Sequence, residues 1–400
     1  MKTILQIIFC LLFLNTAKAQ LSCNSVRLAD VPGPGRFWAT ACSNNQFALV
    51  GGGKLSFSGA STADFYLYNI ATDSWTQVQD YPAGVHNGMI SFEVNGRFFA
   101  GMGTPFIQSS AQLFELDLTT LTWIPRASAP GSHLLIDAYV VNGKVYVIPV
   151  YVGDNGKIIE YNPALDTWRV VTDFNTIDNV QYPIGFAIDN NIYFGMGPGA
   201  FGGGNQAKWF RFDTQTETVV QLNDVPVASD QSSAFKIGNT GYVYNVGQNN
   251  KDMYRYNQDS DTWDLMCSFA DARLSNASAF GTDNFGYVVF GENTDAQNTP
   301  SNELWRFEPL DLTSNNEINK AEKNIQLFSD ADGAIHINFP LPEVYSISVY
   351  DLTGRCISSE SIMVSENYFN KVNKYTANGL HFIQIKNSKN EILLNKKVVL

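Results

Sequence analysis

The sequence predicts an all-β fold of repeated four-stranded units followed by a second, smaller β domain. Five times, a β-type run ending near glycine is followed by an aromatic run, an Asp or Asn and, six residues later, a tryptophan or valine. These residues are Tyr66/Tyr68, Asn69 and Trp75; Phe114, Asp117 and Trp123; Tyr161, Asn162 and Trp168; Phe210/Phe212, Asp213 and Val219; and Tyr254/Tyr256, Asn257 and Trp263. End-residue spacings of 48, 45, 51 and 44 suit one four-stranded propeller blade per repeat. Asn95-Gly96 and Asn142-Gly143, with weaker versions at Asn190-Asn191 and Asn239-Thr240, are two-residue turns that accept positive φ and so mark the first hairpin of a repeat.

The chain opens with Lys2, an apolar run from Ile4 to Leu14 and the small-x-small triplet Ala17-Lys18-Ala19 before Gln20, the pattern of a secretory signal peptide over 1–19. No later run is long and apolar enough for a transmembrane helix, and the mature chain is expected to be soluble. A lipoprotein anchored at Cys23 fits less well, because Gln20-Leu21-Ser22 lies well beyond the apolar run.

The propeller is expected over 20–312. In the second repeat, strand a runs from Gly88 to Val94, strand b from Arg97 to Gly101 and strand c from Leu113 to Leu116, and Thr122-Trp123-Ile124 opens strand d. The sixth repeat supplies strands a to c at 276–282, 285–290 and 303–307 and lacks a fourth. Ser25-Val26-Arg27-Leu28 precedes a Pro/Gly loop as the tryptophan strands do, so it is expected to pair with the strand of Trp305, closing six blades and removing an exposed edge. The repeated Trp and Tyr residues read as core between sheets.

A polar linker is expected over 313–324, where composition changes: 21–317 holds 30 acids and 15 bases, whereas 318–400 holds 8 and 9. An acidic body repels phosphate backbones, which argues against a nucleic-acid partner. From 325 to 400 short strands return, with alternating Ser346–Tyr350, the turn Asp351-Leu-Thr-Gly354-Arg355, the run Asn378–Ile385 and a Lys396–Leu400 terminus.

Two resemblances follow. Phe47-Ala-Leu-Val-Gly51-Gly52, then Tyr68 and Trp75, resembles the kelch repeat over about 290 residues. Gly101-Met-Gly103, Gly195-Met-Gly197, Ile148-Pro149-Val150 and Val219 depart from it. The C-terminal segment resembles the sorting domain of the type IX secretion system of Bacteroidota, a small β-sandwich, with Leu327-Phe328-Ser329-Asp330 where that family has a Tyr-Pro-Asn-Pro-like motif. The resemblance implies the type IX machinery as a partner and a secreted or outer-surface destination; a generic adhesive sandwich is the alternative.

The b–c and d–a loops are the long ones, which makes their rim the expected binding face. The d–a loops carry Arg36, His86, His133, Tyr182, Gln231 and Arg273; the b–c loops carry Phe106, Gln108, Phe201, Asn205 and Gln206. Aromatic faces with Arg, Gln and Asn donors suit a sugar or an acidic sugar. No metal or cofactor is expected: His86 and His133 lack an evident third ligand, and copper-radical chemistry would need a cysteine on this face. Gly197-Pro-Gly199-Ala-Phe-Gly202 reads as a loop, and Asp73, Asp166 and Asp261 as turn formers. Of the mature cysteines, Cys23, Cys42, Cys267 and Cys356, most are expected to be free buried thiols. The leading function is a glycan- or protein-binding module. The alternatives are a glycan-acting enzyme resembling the sialate mutarotases, with Arg36 or Arg273 holding the sugar carboxylate, and a structural adhesin.

Overall fold

The computed structural model describes residues 24–105, 110–131, 137–148, 157–173, 182–198, 204–247, 250–268, 274–293 and 299–308, together with 326–329, 335–338, 344–351, 355–363, 369–372, 380–386, 388 and 392–399. The expected leader and linker lie outside these residues, as do His133, Arg273, Phe106, Gln108 and Phe201. The chain divides into two compact units, one of them Ser22–Leu310, and the other holding Asp311–Leu400. The described residues contain strands and turns and no α-helix.

Among the described residues the larger unit holds six four-stranded antiparallel sheets and one small three-stranded sheet of Leu274–Ser275, Glu292–Asn293 and Thr299–Pro300. The first holds Thr40–Ser43, Phe47–Gly51, Phe65–Asn69 and Ser74–Gln77. The second holds Ile90–Val94, Arg97–Gly101, Leu113–Asp117 and Thr122–Arg126, and the third Asp137–Val141, Lys144–Ile148, Lys157–Asn162 and Thr167–Asp173. The fourth holds Ile184–Ile188, Asn191–Pro198, Asn205–Asp213 and Thr218–Leu222, and the fifth Ser233–Ile237, Thr240–Gly247, Asn250–Asn257 and Thr262–Ser268. The sixth joins Ser278–Gly281, Gly286–Val289 and Leu304–Glu308 to Asn24–Arg27 from the start of the chain, with Arg27 opposite Trp305. The first strand of each sheet lies beside the first strands of the sheets before and after it, and that of the sixth beside that of the first. Apolar clusters fill the joints; Tyr66 and Tyr68 meet Tyr287, Phe290 and Leu304 where the sixth sheet meets the first.

The repeat has a chemical reason at each position. On strand c, Tyr68, Tyr161 and Tyr256 pair with Trp75, Trp168 and Trp263. Each tyrosine donates its hydroxyl to a turn aspartate, at 2.7 Å to Asp73, 2.7 Å to Asp166 and 2.9 Å to Asp261. These aspartates have φ of 47°, 52° and 51°, as expected of turn formers, and each also accepts a backbone N–H from the preceding sheet, from Ala29, Ala127 and Asn223. In the second and fourth sheets the tyrosine is replaced by Leu116 or Phe212, and the positive-φ residue is Leu121 or Glu217. Tyrosine and aspartate are thus present together or absent together, because a buried phenol needs an acceptor.

The glycine pair has an equally specific geometry. Gly52-Gly53, Met102-Gly103, Met196-Gly197 and Phe290-Gly291 all have positive φ at both positions, with 56–61° at the first and 78–101° at the second. A side chain at the second position would run into backbone: a Cβ on Gly103 lies 2.6 Å from Asn87 O, and one on Gly291 lies 2.7 Å from Ser275 O. The first position is open to methionine or phenylalanine at the cost of left-handed strain, about 1 kcal/mol. This explains why the Gly-Met-Gly segments keep the fold while departing from adjacent glycines.

Two expectations are corrected. Cys267 is disulfide-bonded, Cys42 is a free buried thiol that burial pushes up to about 12, and Cys356 is free and exposed. The expectation for Cys267 rested on the distance between strands of a propeller, which takes no account of a bulge: Met253 faces Cys267 and Tyr254 faces Leu265, so Met266 is an extra residue, and both Met266 and Cys267 are buried. Asn205 and Gln206, expected in a loop, belong to a strand, since Pro198 and Gly197 extend the pairing opposite them past a register shift.

Removing residues 21–28 leaves the Leu304–Glu308 edge unpaired and deletes the Arg27–Glu303 ion pair of 3.0 Å. The lost strand is half-exposed, so the expected cost is about 2–3 kcal/mol, net of backbone ordering. A calorimetric melting temperature equal to that of the intact chain would refute the role of this strand.

In the smaller unit, Gln326–Ser329, Ile335–Asn338 and Phe369–Val372 form one sheet, and Cys356–Met363, Val344–Tyr350, Leu380–Lys386 and Ile392–Val399 form another. Alternation along Val344–Tyr350 buries Tyr345, Ile347 and Val349.

Candidate binding site

Strands a of the second and sixth sheets begin two residues later than the sequence suggests, at Ile90 and Ser278. The residue two places before strand a carries positive φ: Trp38 51°, Gly88 58°, Tyr182 53° and Asn276 51°. This kink aligns backbone from successive sheets. Asn276 N–H donates to Gln231 O at 3.2 Å, Trp38 N–H to Asn276 O at 3.3 Å and Gly88 N–H to Trp38 O at 2.9 Å. A chain of hydrogen bonds therefore runs from the fifth sheet through the sixth and first to the second. It brings Gln231, Asn276, Trp38 and Gly88 to one rim, where the first strands begin and the second strands end. Tyr182 occupies the matching position in the fourth sheet.

A second tier lies beside it. The residue after the second glycine of the pair is Lys54 in the first sheet and Glu292 in the sixth, and each touches the kink residue of its own sheet. Lys54 Nζ sits 5.7 Å from the Trp38 ring centroid and 5.8 Å from that of Phe57, and it donates to Phe57 O at 2.8 Å. The two rings are tilted, with centroids 6.0 Å apart, and Phe57 is 76% exposed. On the other side, Trp38 Nε1–H points to Asn276 Oδ1 at 3.4 Å, and Asn276 Nδ2–H donates to Glu292 at 3.0 Å. The result is an aromatic surface edged by an ammonium, an amide and a carboxylate.

Arg36 and His86 occupy a layer beneath this rim. Arg36 has no exposed surface. Its guanidinium makes a bidentate pair with Asp64 at 2.6 and 2.7 Å and donates to Thr62 Oγ1, Gly52 O and Pro34 O, with Phe290 stacked 4.9 Å away. Burial pushes the Asp64 carboxyl up, but the bonds and charge of Arg36 outweigh this and hold it below the usual carboxylate range. A guanidinium so enclosed is a pin between sheets rather than a ligand contact. His86 is 3% exposed, its Nδ1 lies 3.1 Å from Gly84 O, its ring meets Tyr81 edge-on, and burial lowers its pKa. The carbonyls of Arg36, His86 and Ser229 accept from Gly291, Gly53 and Gly197, which ties this layer to the glycine pairs.

Of the residues singled out from sequence, Tyr182 and Gln231 thus sit at rim positions, Arg36 and His86 lie below, and Asn205 bonds Asp230 at 3.1 Å from the fourth sheet. Trp38, Lys54, Phe57, Asn276 and Glu292 were not anticipated. The offset of two residues before strand a would have found Trp38 and Asn276; a lone phenylalanine inside Ser56-Phe57-Ser58-Gly59 is the signal for the third. Among the described residues no group of three or more His, Cys, Asp and Glu is placed to hold a metal ion.

Comparison with known proteins assigns the end of the chain. Residues 331–400 match the family described as "Secretion system C-terminal sorting domain". That match implies secretion or cell-surface attachment through the type IX system, and with it contact with that machinery. No curated protein matches the chain. No helix among the described residues is long and apolar enough to cross a membrane.

Proposed function

We propose that the larger unit is a six-bladed kelch-type propeller, closed by its N-terminal strand, which binds a glycan or a protein ligand through the rim of its long loops. A leader over 1–19 and the sorting domain over 325–400, behind the 313–324 linker, would deliver it to the cell surface or the medium. The observation that carries the binding role is the group of Trp38, Phe57 and Lys54. An aromatic ring three-quarters exposed beside a second ring contributes little to a core, and kink positions that glycine fills without strain at Gly88 hold Trp38, Tyr182 and Asn276 instead. Strain retained at a surface points to use of the side chain. Tyr182 and Gln231 belong to the same rim and complete the proposed face.

The mutarotase-like alternative loses one of its two candidate cations, since Arg36 is taken by Asp64; Arg273, the other, lies outside the described residues. The binding role is tested by probing the full chain against a glycan array and against proteins captured from a cell surface. Saturable binding that Phe57→Ala removes would support it, and silence in both screens would reject it.

Export gives an independent prediction. Deleting 325–400 is expected to leave a folded larger unit in the periplasm, and fusing that segment to an inert passenger is expected to carry the passenger to the surface or medium of a type IX-competent host. Immunoblots of periplasm and medium decide this: a truncated chain in the medium, or a fusion held in the periplasm, would overturn the sorting role.

A further inference from the structure

We infer that the joint between the sixth and first sheets is a subsite for an uncharged pyranose ring, with Trp38 and Phe57 as its stacking surface and the Asn276–Glu292 pair as its hydroxyl-reading edge. This rests on the binding role proposed above and narrows it to one ligand chemistry. Stacking on an indole or phenyl face suits the C–H face of a sugar, because a weakly polar, rigid surface meets an aromatic ring at little cost in side-chain entropy. Orientation then needs acceptors and donors in one plane beside the ring. Glu292 and Asn276 supply both, at 3.0 Å from each other, and Asn276 is in turn within 3.4 Å of the Trp38 indole N–H, so edge and platform are held in one register.

The charge on the hydroxyl-reading edge selects against an acidic sugar there. The ammonium of Lys54 is engaged by the Phe57 carbonyl at 2.8 Å and lies over both rings, so it binds the platform together. The ionisable group on the hydroxyl-reading edge is instead the Glu292 carboxylate, which repels a uronate and accepts well from neutral hydroxyls. The surrounding unit is acidic as well, with 30 acids to 15 bases over 21–317.

The test is calorimetric titration of the full chain with cellohexaose, maltohexaose, laminarihexaose, mannohexaose and, as the acidic arm, hexagalacturonate. At least one neutral hexasaccharide is expected to bind, with an affinity that changes less than about twofold between 50 and 500 mM salt, since no counter-charge is neutralised. Trp38→Gly, which relieves the left-handed strain and matches Gly88, Phe57→Ala and Glu292→Gln are each expected to weaken that binding about tenfold or more. Phe57 is 76% exposed, so its variant is expected to melt as the wild type does, and melting temperatures monitor folding of all three. Preference for hexagalacturonate with steep salt dependence would overturn the subsite and leave the binding role standing. Neutral binding untouched by all three variants would do the same. If no hexasaccharide binds the subsite is overturned, and the binding role falls with it only if the array and protein screens are also silent.

Discussion

Asp64→Ala is expected to destabilise the larger unit by about 3–5 kcal/mol, because it strands the Arg36 guanidinium, with no exposed surface, without its counter-ion. Arg36 would keep Thr62, Gly52 and Pro34 as acceptors, yet these are neutral and cannot balance a buried charge. The pH dependence follows from the depressed carboxyl of Asp64. A group whose folded pKa lies below its unfolded value contributes stability that is fully present above the unfolded pKa, near 4, and is lost as pH falls through the folded one. Thermal melts of the wild type should therefore lose stability on acidification below about pH 4, and the slope over that window should be shallower in Asp64→Ala. A substitution costing under about 1 kcal/mol, or an unchanged acid slope, would show that the pair is solvated and dispensable.

Trp123→Ala is expected to cost a similar amount, about 3–5 kcal/mol. The indole is 8% exposed in the joint between the first and second sheets, edge-on to Phe65 at 5.1 Å and to Tyr81 at 5.9 Å. Its Nε1–H donates to Gln79 O at 2.7 Å, so truncation removes both apolar contacts and the partner of a backbone carbonyl. At about 2 °C per kcal/mol for a unit of this size, the melting temperature should fall by roughly 6–10 °C. Unchanged melting combined with lost ligand binding would move Trp123 from the core to a ligand site.

The strand order and turns were legible because each rests on local chemistry: Asn95 and Asn142 take the left-handed conformation at 55° and 52°, and Asn69, Asp117, Asn162, Asp213 and Asn257 each cap a turn by accepting from the backbone two and three residues on. The N-terminal strand was legible from a missing partner. The rim was harder. Arg36 and His86 share the d–a loops with Trp38 and Asn276, and only the kink two residues before strand a separates the buried layer from the exposed one. Trp38, Met102 and Phe290 adopt positive φ without being glycine, so no residue type announces them. Cys267 was misjudged for a different reason: the expectation rested on the spacing of strands in a regular ring, and the bulge that leaves Met266 as an extra residue beside it carries no mark in that spacing.

The turn carboxylates Asp73, Asp166 and Asp261 reach back to Ala29, Ala127 and Asn223, that is, from the first sheet to the sixth, the third to the second and the fifth to the fourth. The intervening joints carry Leu121 and Glu217 at the matching turns and are tied without that carboxylate: Gln79 N–H donates to Leu121 O and Trp123 Nε1–H to Gln79 O between the first and second sheets, and Arg169 donates to Glu217 at 2.7 Å between the third and fourth. The larger unit therefore has two kinds of joint, one latched by a positive-φ aspartate that also holds a tyrosine, the other by Gln79 or an ion pair. Opening should respect the same grouping: amide exchange ought to release the Thr122–Arg126 and Thr218–Leu222 strands before those fastened by an aspartate.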